Sequence, residues 1–165
     1  MVTHIVLSCS KGFFPWVSEI SLMAEQVKSY GKIHSISYQD LISPDDKITR
    51  LVKHLESLSG DIILIGSGMD GYVSTVASNK VNIAGLMLLA PAFYLEGYSI
   101  QEPITPCQHI SITHGWNDDI VPCGNSIRFA LEHKSKLNLV YDGHQLANSQ
   151  NILNSALIEL LTQAS

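Results

Sequence analysis

The sequence lacks the features that would set it apart from ordinary globular proteins. Only 15% of its 165 residues are charged, the formal net charge is −5, and no basic block stands out. Nucleic acid is therefore not expected as a partner. No apolar run approaches the roughly 20 residues of a membrane-spanning helix, so we expect no membrane partner either. The first apolar run, Val2 to Leu7, is too short for a secretion signal and has no basic residues before it.

Cysteine is also scarce, and its distribution excludes two further classes of protein. Cys9, Cys107 and Cys123 are odd in number and lack the spacing of metal ligands. This usage favours a reducing compartment over a disulfide framework, so we expect a cytoplasmic protein without a bound metal. The length and the hydrophobic content of 45% predict a single domain over residues 1–165 with a substantial core.

Short apolar runs typical of buried strands alternate with amphipathic helical segments along the chain. The predicted strands are Val2 to Leu7, Lys32 to Tyr38, Ile62 to Ile65, Asn82 to Leu89, His109 to Thr113 and Leu137 to Tyr141. The predicted helices begin at Pro15, Ser43, Tyr72, Gly124 and Ile152. This alternation predicts an α/β fold with a six-stranded, mostly parallel sheet and helices on both faces. The proline-rich segment 91–107 is irregular and too short for a separate lid domain.

A glycine-rich turn, Gly66-Ser67-Gly68-Met69-Asp70-Gly71, follows the third predicted strand. It fits the G-x-G-x-x-G fingerprint of dinucleotide-binding proteins, which also requires an acidic residue at the end of the next strand. Here the next strand ends in Ala90-Pro91, and the first acid after it is Glu96. A nucleotide-binding protein remains one alternative.

The same turn is in frame with G-x-S-x-G, the nucleophile elbow of another class of protein. Two more motifs follow it in order: H-G-x-x-D-x-x-V-P from His114 to Pro122 after the fifth strand, and D-G-H-x-L from Asp142 to Leu146 after the sixth. Together the three motifs resemble the elbow, acid and histidine of the α/β-hydrolase superfamily. The resemblance covers nearly the whole chain and is strongest to the small, single-domain esterases that lack a lid.

The resemblance implies a role for several residues. Asp118 would orient His144, with Asp119 as the second candidate acid, and His144 would act as general base and then as general acid. The backbone N–H groups of Met69 and Phe13 would bind the developing oxyanion. The implied partner is a small acyl substrate, and no cofactor is implied.

The elbow departs from the family pattern at two positions. Gly68 stands where the nucleophilic serine belongs, and Asp70 replaces the final glycine, where a carboxylate would repel an oxyanion. Ser67 is the candidate replacement nucleophile, although reaching His144 would require a local shift in register. The sequence thus leaves three functions open: a serine-type hydrolase of small esters or related acyl compounds, with weak or Ser67-dependent activity, a catalytically inactive homologue that binds a ligand or partner, or the nucleotide-binding protein. It does not indicate an oligomeric state.

Overall fold

A computed structural model describes residues 2–8 and 27–164. The six strands are β1 (Thr3–Ser8), β2 (Lys32–Ile36), β3 (Asp61–Ser67), β4 (Gly85–Leu89), β5 (Ile110–Gly115) and β6 (Lys136–Val140). The four helices within the described residues are α1 (Pro44–Glu56), α2 (Met69–Ser78), α3 (Cys123–His133) and α4 (Gln150–Gln163). The helix predicted to begin at Pro15 lies, apart from its last residues, outside the described part of the chain.

The strands form one sheet in the order β2-β1-β3-β4-β5-β6, and all five pairings are parallel. The predicted α/β fold with a six-stranded sheet is therefore confirmed. The strand order reverses between β1 and β3, and in open parallel sheets ligands bind at such a point, beside the carboxyl ends of the strands. The glycine-rich turn follows β3 and lies at this point.

Two apolar clusters, one on each face of the sheet, bury the helices against it. On the first face, α1, α2 and α3 pack on the alternate strand residues represented by Val6, Leu64 and Leu88. On the second face, α4 packs on the intervening residues, among them Ile63, Met87 and others of the same strands. The near-continuous apolar strands follow from this arrangement, because a strand covered on both faces buries both sets of its side chains. Helices on both faces are confirmed.

Helix α1 begins where its sequence predicts. The Ser43 side chain accepts a hydrogen bond from the Asp45 N–H at 3.2 Å, and Pro44 occupies the first turn. Asp45 and Asp46 face the positive end of the helix dipole. The stripe of Ile48, Leu51 and Leu55 is buried.

Several boundaries differ from those predicted by one to three residues, and β4 begins at Gly85, three residues after Asn82. Helix α2 begins at Met69, three residues before Tyr72, and β2 ends at Ile36, two residues before Tyr38. The segment between β4 and β5 has no helix or strand, as its prolines predict. No helix within the described ranges is long and apolar enough to cross a membrane.

Candidate active site

The turn between β3 and α2, which the sequence predicts to be a nucleophile elbow, is centred on Gly68. Gly68 adopts φ 52° and ψ −125°, a left-handed conformation that glycine takes with little strain. Its N–H donates to the Leu89 carbonyl at 2.9 Å, and its own carbonyl accepts from the Ala92 N–H at 2.9 Å and the Gly71 N–H at 3.1 Å. These hydrogen bonds tie the sharp turn to the loop after β4.

The side of Gly68 where a side chain would project faces His144. A Cβ atom placed on Gly68 would lie 3.5 Å from His144 Nε2 and 3.9 Å from Cε1, and apart from Gly68 and its chain neighbours it would meet no other described atom within 4 Å. A serine at this position could therefore bring its hydroxyl within hydrogen-bonding distance of Nε2. The histidine occupies the place that an elbow nucleophile requires of its base.

His144 and Asp118 form a hydrogen-bonded pair that is largely withdrawn from solvent. His144 Nδ1 lies 2.7 Å from Asp118 Oδ2, and the two side chains are 8% and 0% exposed. The other carboxylate oxygen, Oδ1, accepts from the N–H groups of Val121 at 2.8 Å and Ile120 at 2.9 Å. Burial raises the pKa of Asp118, but these N–H groups and His144 outweigh it, so the pKa lies below its ordinary value.

The ionised carboxylate determines the tautomer of His144. A carboxylate only accepts hydrogen bonds, so Nδ1 carries the proton and Nε2 of the neutral imidazole keeps a free lone pair. That lone pair is on the nitrogen that faces Gly68. Asp119, the second candidate acid, is exposed, and the pairing belongs to Asp118.

A second histidine supports the acid from the protein interior. His114 is fully buried, and its Nε2 lies 2.9 Å from Asp118 Oδ2 and 3.0 Å from the Val121 carbonyl. Its Nδ1 lies 2.7 Å from Ser126 Oγ on α3. Burial lowers the pKa of His114, so the ring is neutral, donates from Nε2 and accepts from the Ser126 hydroxyl. Asp118 is thus held between two imidazoles.

The loop that carries His144 is held by a third carboxylate. Asp142 accepts hydrogen bonds from the N–H groups of Gly143 and Asn148 and from the Ser149 hydroxyl, each at 2.8 Å. Burial raises the pKa of Asp142, but these donors outweigh it and the pKa lies below its ordinary value. The next hydrophobic residue, Leu146, is fully buried. The aspartate and leucine of the D-G-H-x-L motif therefore have structural roles on either side of the histidine.

Of the two predicted oxyanion donors, Met69 lies within the described residues and Phe13 does not. Met69 supplies the first N–H group of α2, directly after Gly68, and within residues 2–8 and 27–164 it has no backbone or side-chain acceptor. The first N–H groups of a helix lack intrahelical partners and point toward anions. The role of Met69 as an oxyanion donor stays a prediction.

Ser67, the candidate replacement nucleophile, is not brought to His144. It is the last residue of β3 and is 4% exposed. Its position alternates with Gly66, so the side chain belongs to the sheet face covered by α4, on which Ile63 and Ile65 lie. The Ser67 hydroxyl is buried and makes no hydrogen bond within the described residues. A nucleophilic role for Ser67 stays a prediction.

Asp70, the second departure from the elbow pattern, is paired. Its Oδ1 lies 3.1 Å from Lys47 Nζ of α1, and the two side chains are 5% and 8% exposed. The close packing of helix on strand falls on Gly66 instead, where a Cβ would lie 2.3 Å from Ser74 Oγ. The repulsion expected between Asp70 and an oxyanion is therefore offset by the adjacent ammonium group.

Two groupings of polar residues could not be seen in the sequence. One is the Lys47–Asp70 pair, whose partners are 23 residues apart. The other is a histidine cluster, in which His4 Nδ1 lies 2.9 Å from His34 Nε2 and the rings of His34 and His54 are 5.2 Å apart. In the sequence these histidines lie far apart. The pairing of β1 with β2 and the packing of α1 bring them together in the fold. No group of three or more His, Cys, Asp or Glu residues in the described ranges could hold a metal.

Solved structures of α/β-hydrolases resemble this chain over nearly its whole length. A proposed hydrolase of the α/β superfamily from Xanthomonas campestris has a TM-score of 0.84 at 23% identity, covering 96% of this chain and 98% of that one. A proposed YdeN-like hydrolase from Pectobacterium atrosepticum has a TM-score of 0.76 at 18% identity, covering 99% and 92%.

A third similar structure is that of a substituted protein. The meta-cleavage product hydrolase of Pseudomonas fluorescens, solved as a serine-to-alanine variant complexed with acetates, has a TM-score of 0.75 at 11% identity and covers 100% and 92%. No protein-family model matches the sequence, and no curated protein matches it significantly. The chain has the α/β-hydrolase fold.

Proposed function

We propose that this protein hydrolyses small esters or related acyl compounds, with His144 as the general base and Asp118 as the residue that orients it. The observation that carries the proposal is the alignment of three groups. Asp118 Oδ2 is 2.7 Å from His144 Nδ1, and His144 Nε2 is 3.5 Å from the Cβ position of Gly68. A base held in one tautomer and directed at the elbow suits proton removal from an attacking hydroxyl group.

The surroundings of the pair support catalysis more than packing. A histidine buried only for packing does not need an ionised partner, and burying a charge is costly unless it is well satisfied. Asp118 is fully buried and is satisfied by two backbone N–H groups and by His114 as well as by His144. The similar structures whose names include hydrolase agree with the proposed reaction class.

The carbonyl end of the substrate would lie at the start of α2. The N–H of Met69, which has no acceptor among the described residues, is adjacent to Gly68, and the helix dipole favours negative charge there. Among the described residues, the segment between β4 and β5 forms no helix that could cover the site. A site without a lid from this segment agrees with the small substrates of the proposal.

Hydrolysis of short-chain p-nitrophenyl esters by the purified protein tests the proposal. We expect a rate above buffer that falls by at least about 100-fold in His144→Ala, because general bases contribute roughly 10² to 10⁴. His109→Ala is the matched control, since His109 is exposed and precedes β5 at the opposite edge of the sheet. A wild-type rate equal to buffer, or a His144→Ala rate equal to wild type, would contradict the proposal.

A second candidate function is binding without catalysis. It is favoured by Gly68, which has no nucleophilic atom, and by the absence of contact between Ser67 and His144. The structurally similar serine-to-alanine variant complexed with acetates suggests short carboxylates as ligands. If this candidate is right, acetate or butyrate should raise the melting temperature of wild type but not of His144→Ala, and no ester should be hydrolysed.

Nucleotide binding by the glycine-rich turn is supported only by the match of its sequence to the G-x-G-x-x-G fingerprint. Strand β4 ends at Leu89 and is followed by Ala90 and Pro91, so no carboxylate follows it to hold a ribose. It stays a prediction, and a thermal shift with NAD or ATP would test it.

A further inference from the structure

Among residues 2–8 and 27–164, apart from the chain neighbours of Gly68, only His144 lies within 4 Å of the position where a side chain on Gly68 would begin. We infer that a water molecule held between Gly68 and His144 Nε2 is the attacking nucleophile, so that the acyl group is never attached to the protein. This inference rests on the proposed hydrolase function and names the nucleophile of that reaction. Serine hydrolases of this fold use two displacements, whereas this site would use one.

The geometry leaves room for one small group. Apart from its chain neighbours, a Cβ atom on Gly68 would have only His144 Nε2 and Cε1 within 4 Å in the described part of the chain, at 3.5 and 3.9 Å. Glycine removes the hydroxymethyl group of a serine, whose hydroxyl is similar in size and hydrogen-bonding capacity to a water molecule. Among the described residues, Nε2 of His144 has no hydrogen-bond partner, whereas Nδ1 is bound to Asp118. A water donating to Nε2 would satisfy that lone pair and lie beside the elbow.

No described nucleophilic side chain competes for His144. Ser67 belongs to the opposite face of β3, and its hydroxyl makes no hydrogen bond. Ser8 is fully buried, and its hydroxyl lies 2.7 Å from the Tyr38 hydroxyl. Cys107 contacts the His109 carbonyl, before β5 at the opposite edge of the sheet, and burial raises the pKa of its thiol.

The proposed reaction needs water as its only co-reactant. As the water oxygen bonds to the carbonyl carbon, Nε2 takes one of its protons and the π electrons move to the carbonyl oxygen, next to the Met69 N–H. Asp118 stabilises the resulting imidazolium. When the carbonyl re-forms, the bond to the alcohol oxygen breaks and His144 returns the proton to that oxygen. The products are a carboxylic acid and an alcohol, and the protein is regenerated.

The test combines turnover with a search for covalent adducts. Wild type, Ser67→Ala, Gly68→Ala and Gly68→Ser are each incubated with p-nitrophenyl acetate and, separately, with a fluorophosphonate probe, and the intact masses are recorded. We expect wild type and Ser67→Ala to hydrolyse the ester at the same rate without a burst and without adducts. Gly68→Ala should lose on the order of 100-fold in rate, because its methyl group occupies the space for the water.

Gly68→Ser takes the same positive φ as Gly68→Ala, so melting temperatures establish first that both variants fold, and the comparison of wild type with Ser67→Ala decides the test if they do not. Gly68→Ser should acquire both the probe label and an initial burst, which would show that the elbow accepts a nucleophile that wild type does not possess. A wild-type adduct that disappears in Ser67→Ala would overturn the inference and leave the proposed hydrolase function intact. Absence of hydrolysis in wild type would overturn both.

Discussion

The two halves of the candidate site have kept different parts of a hydrolase. The acid–base half, on the loops after β5 and β6, has every side chain in place: Asp118 and His144 are 2.7 Å apart, and His114 supports the acid from within. The elbow half, after β3, has only the backbone. Gly68 holds the positive φ of a nucleophile elbow and the hydrogen bonds to the neighbouring loop, but it has no reacting atom.

The comparison shows that the two halves depend on different groups for their shape. The elbow keeps its shape because neighbouring carbonyls, N–H groups and glycines define it, and glycine tolerates that shape better than serine does. The acid–base half combines side chains with the backbone, because Asp118 and Asp142 each accept hydrogen bonds from two backbone N–H groups as well as contacting other side chains. This division is the basis of our proposal that His144 acts on a water molecule.

Restoring the missing side chain should produce the largest effect. We expect Gly68→Ser to raise the turnover of p-nitrophenyl acetate on the order of a thousand-fold, because removing the serine of subtilisin alone costs about a million-fold. Gly124→Ser on α3 is the matched control, since a Cβ there would meet nothing within 4 Å. A Gly68→Ser rate no higher than wild type would mean that the elbow is not aligned with His144.

Removing the charge of the acid should produce the next largest effect. We expect Asp118→Asn to lower the hydrolysis rate by about 100-fold or more, because the amide no longer fixes the Nδ1–H tautomer or stabilises the imidazolium. Asp119→Asn, the exposed neighbour, should leave kcat/KM unchanged. Equal losses in the two variants would show that the pairing in the structure is not the one that acts.

The ion pair beneath the elbow should contribute to stability more than to chemistry. Lys47→Met leaves the buried Asp70 carboxylate without its ammonium partner, and we expect it to lower the free energy of unfolding by about 3 kcal/mol in urea titrations. Adding Asp70→Asn should recover most of that loss. Arg50→Met, which removes the exposed Arg50–Asp40 pair, should cost less than about 1 kcal/mol. Equal costs for the two single variants would contradict a buried role for Lys47.

The smallest effect, a pH-dependent change in stability, should come from the cluster of His4, His34 and His54, which lies toward the amino-terminal ends of β1 and β2. Burial lowers the pKa of His34, and His4, His54 and Lys32 lower it further. Because the unfolded chain then binds protons more readily, the neutral cluster contributes fully above the ordinary pKa of about 6.5 and loses its contribution as the pH falls through the lower folded value.

Melting temperatures measured between about pH 7.5 and about pH 5 test this sign. The wild-type melting temperature should fall more over this range than that of His34→Asn, which removes the shared group of the cluster. His133→Asn on α3, outside the cluster, is the control. An identical pH dependence in wild type and His34→Asn would contradict the account.

Much of this arrangement was predictable because local signals determine it. The cap of Ser43 on α1 and the alternation of strands and helices needed only neighbouring residues. The pairing of Asp118 with His144 needed only the rule that parallel strands end at one edge of the sheet. The structure places these two residues where the motifs predict.

What could not be predicted depends on tertiary packing. The Lys47–Asp70 pair joins two helices with no sequence signal between them, and the histidine cluster depends on the register that places Val6 opposite His34. Helix α2 begins as early as Met69 because two glycines let it pack closely. Gly66 of β3 lies against Ser74 of α2, and Gly71 of α2 lies against Pro91. From the sequence, the same glycines predict a longer loop.

The most direct test of the central claim is the effect of His144→Ala in two backgrounds, wild type and Gly68→Ser, measured as kcat/KM for p-nitrophenyl acetate. If the acid–base half works with water in the natural protein and with serine in the restored one, the substitution should cost at least about 100-fold in both. A large loss in the Gly68→Ser background together with no loss in the wild-type background would show that the pair is intact but idle, and would contradict the account.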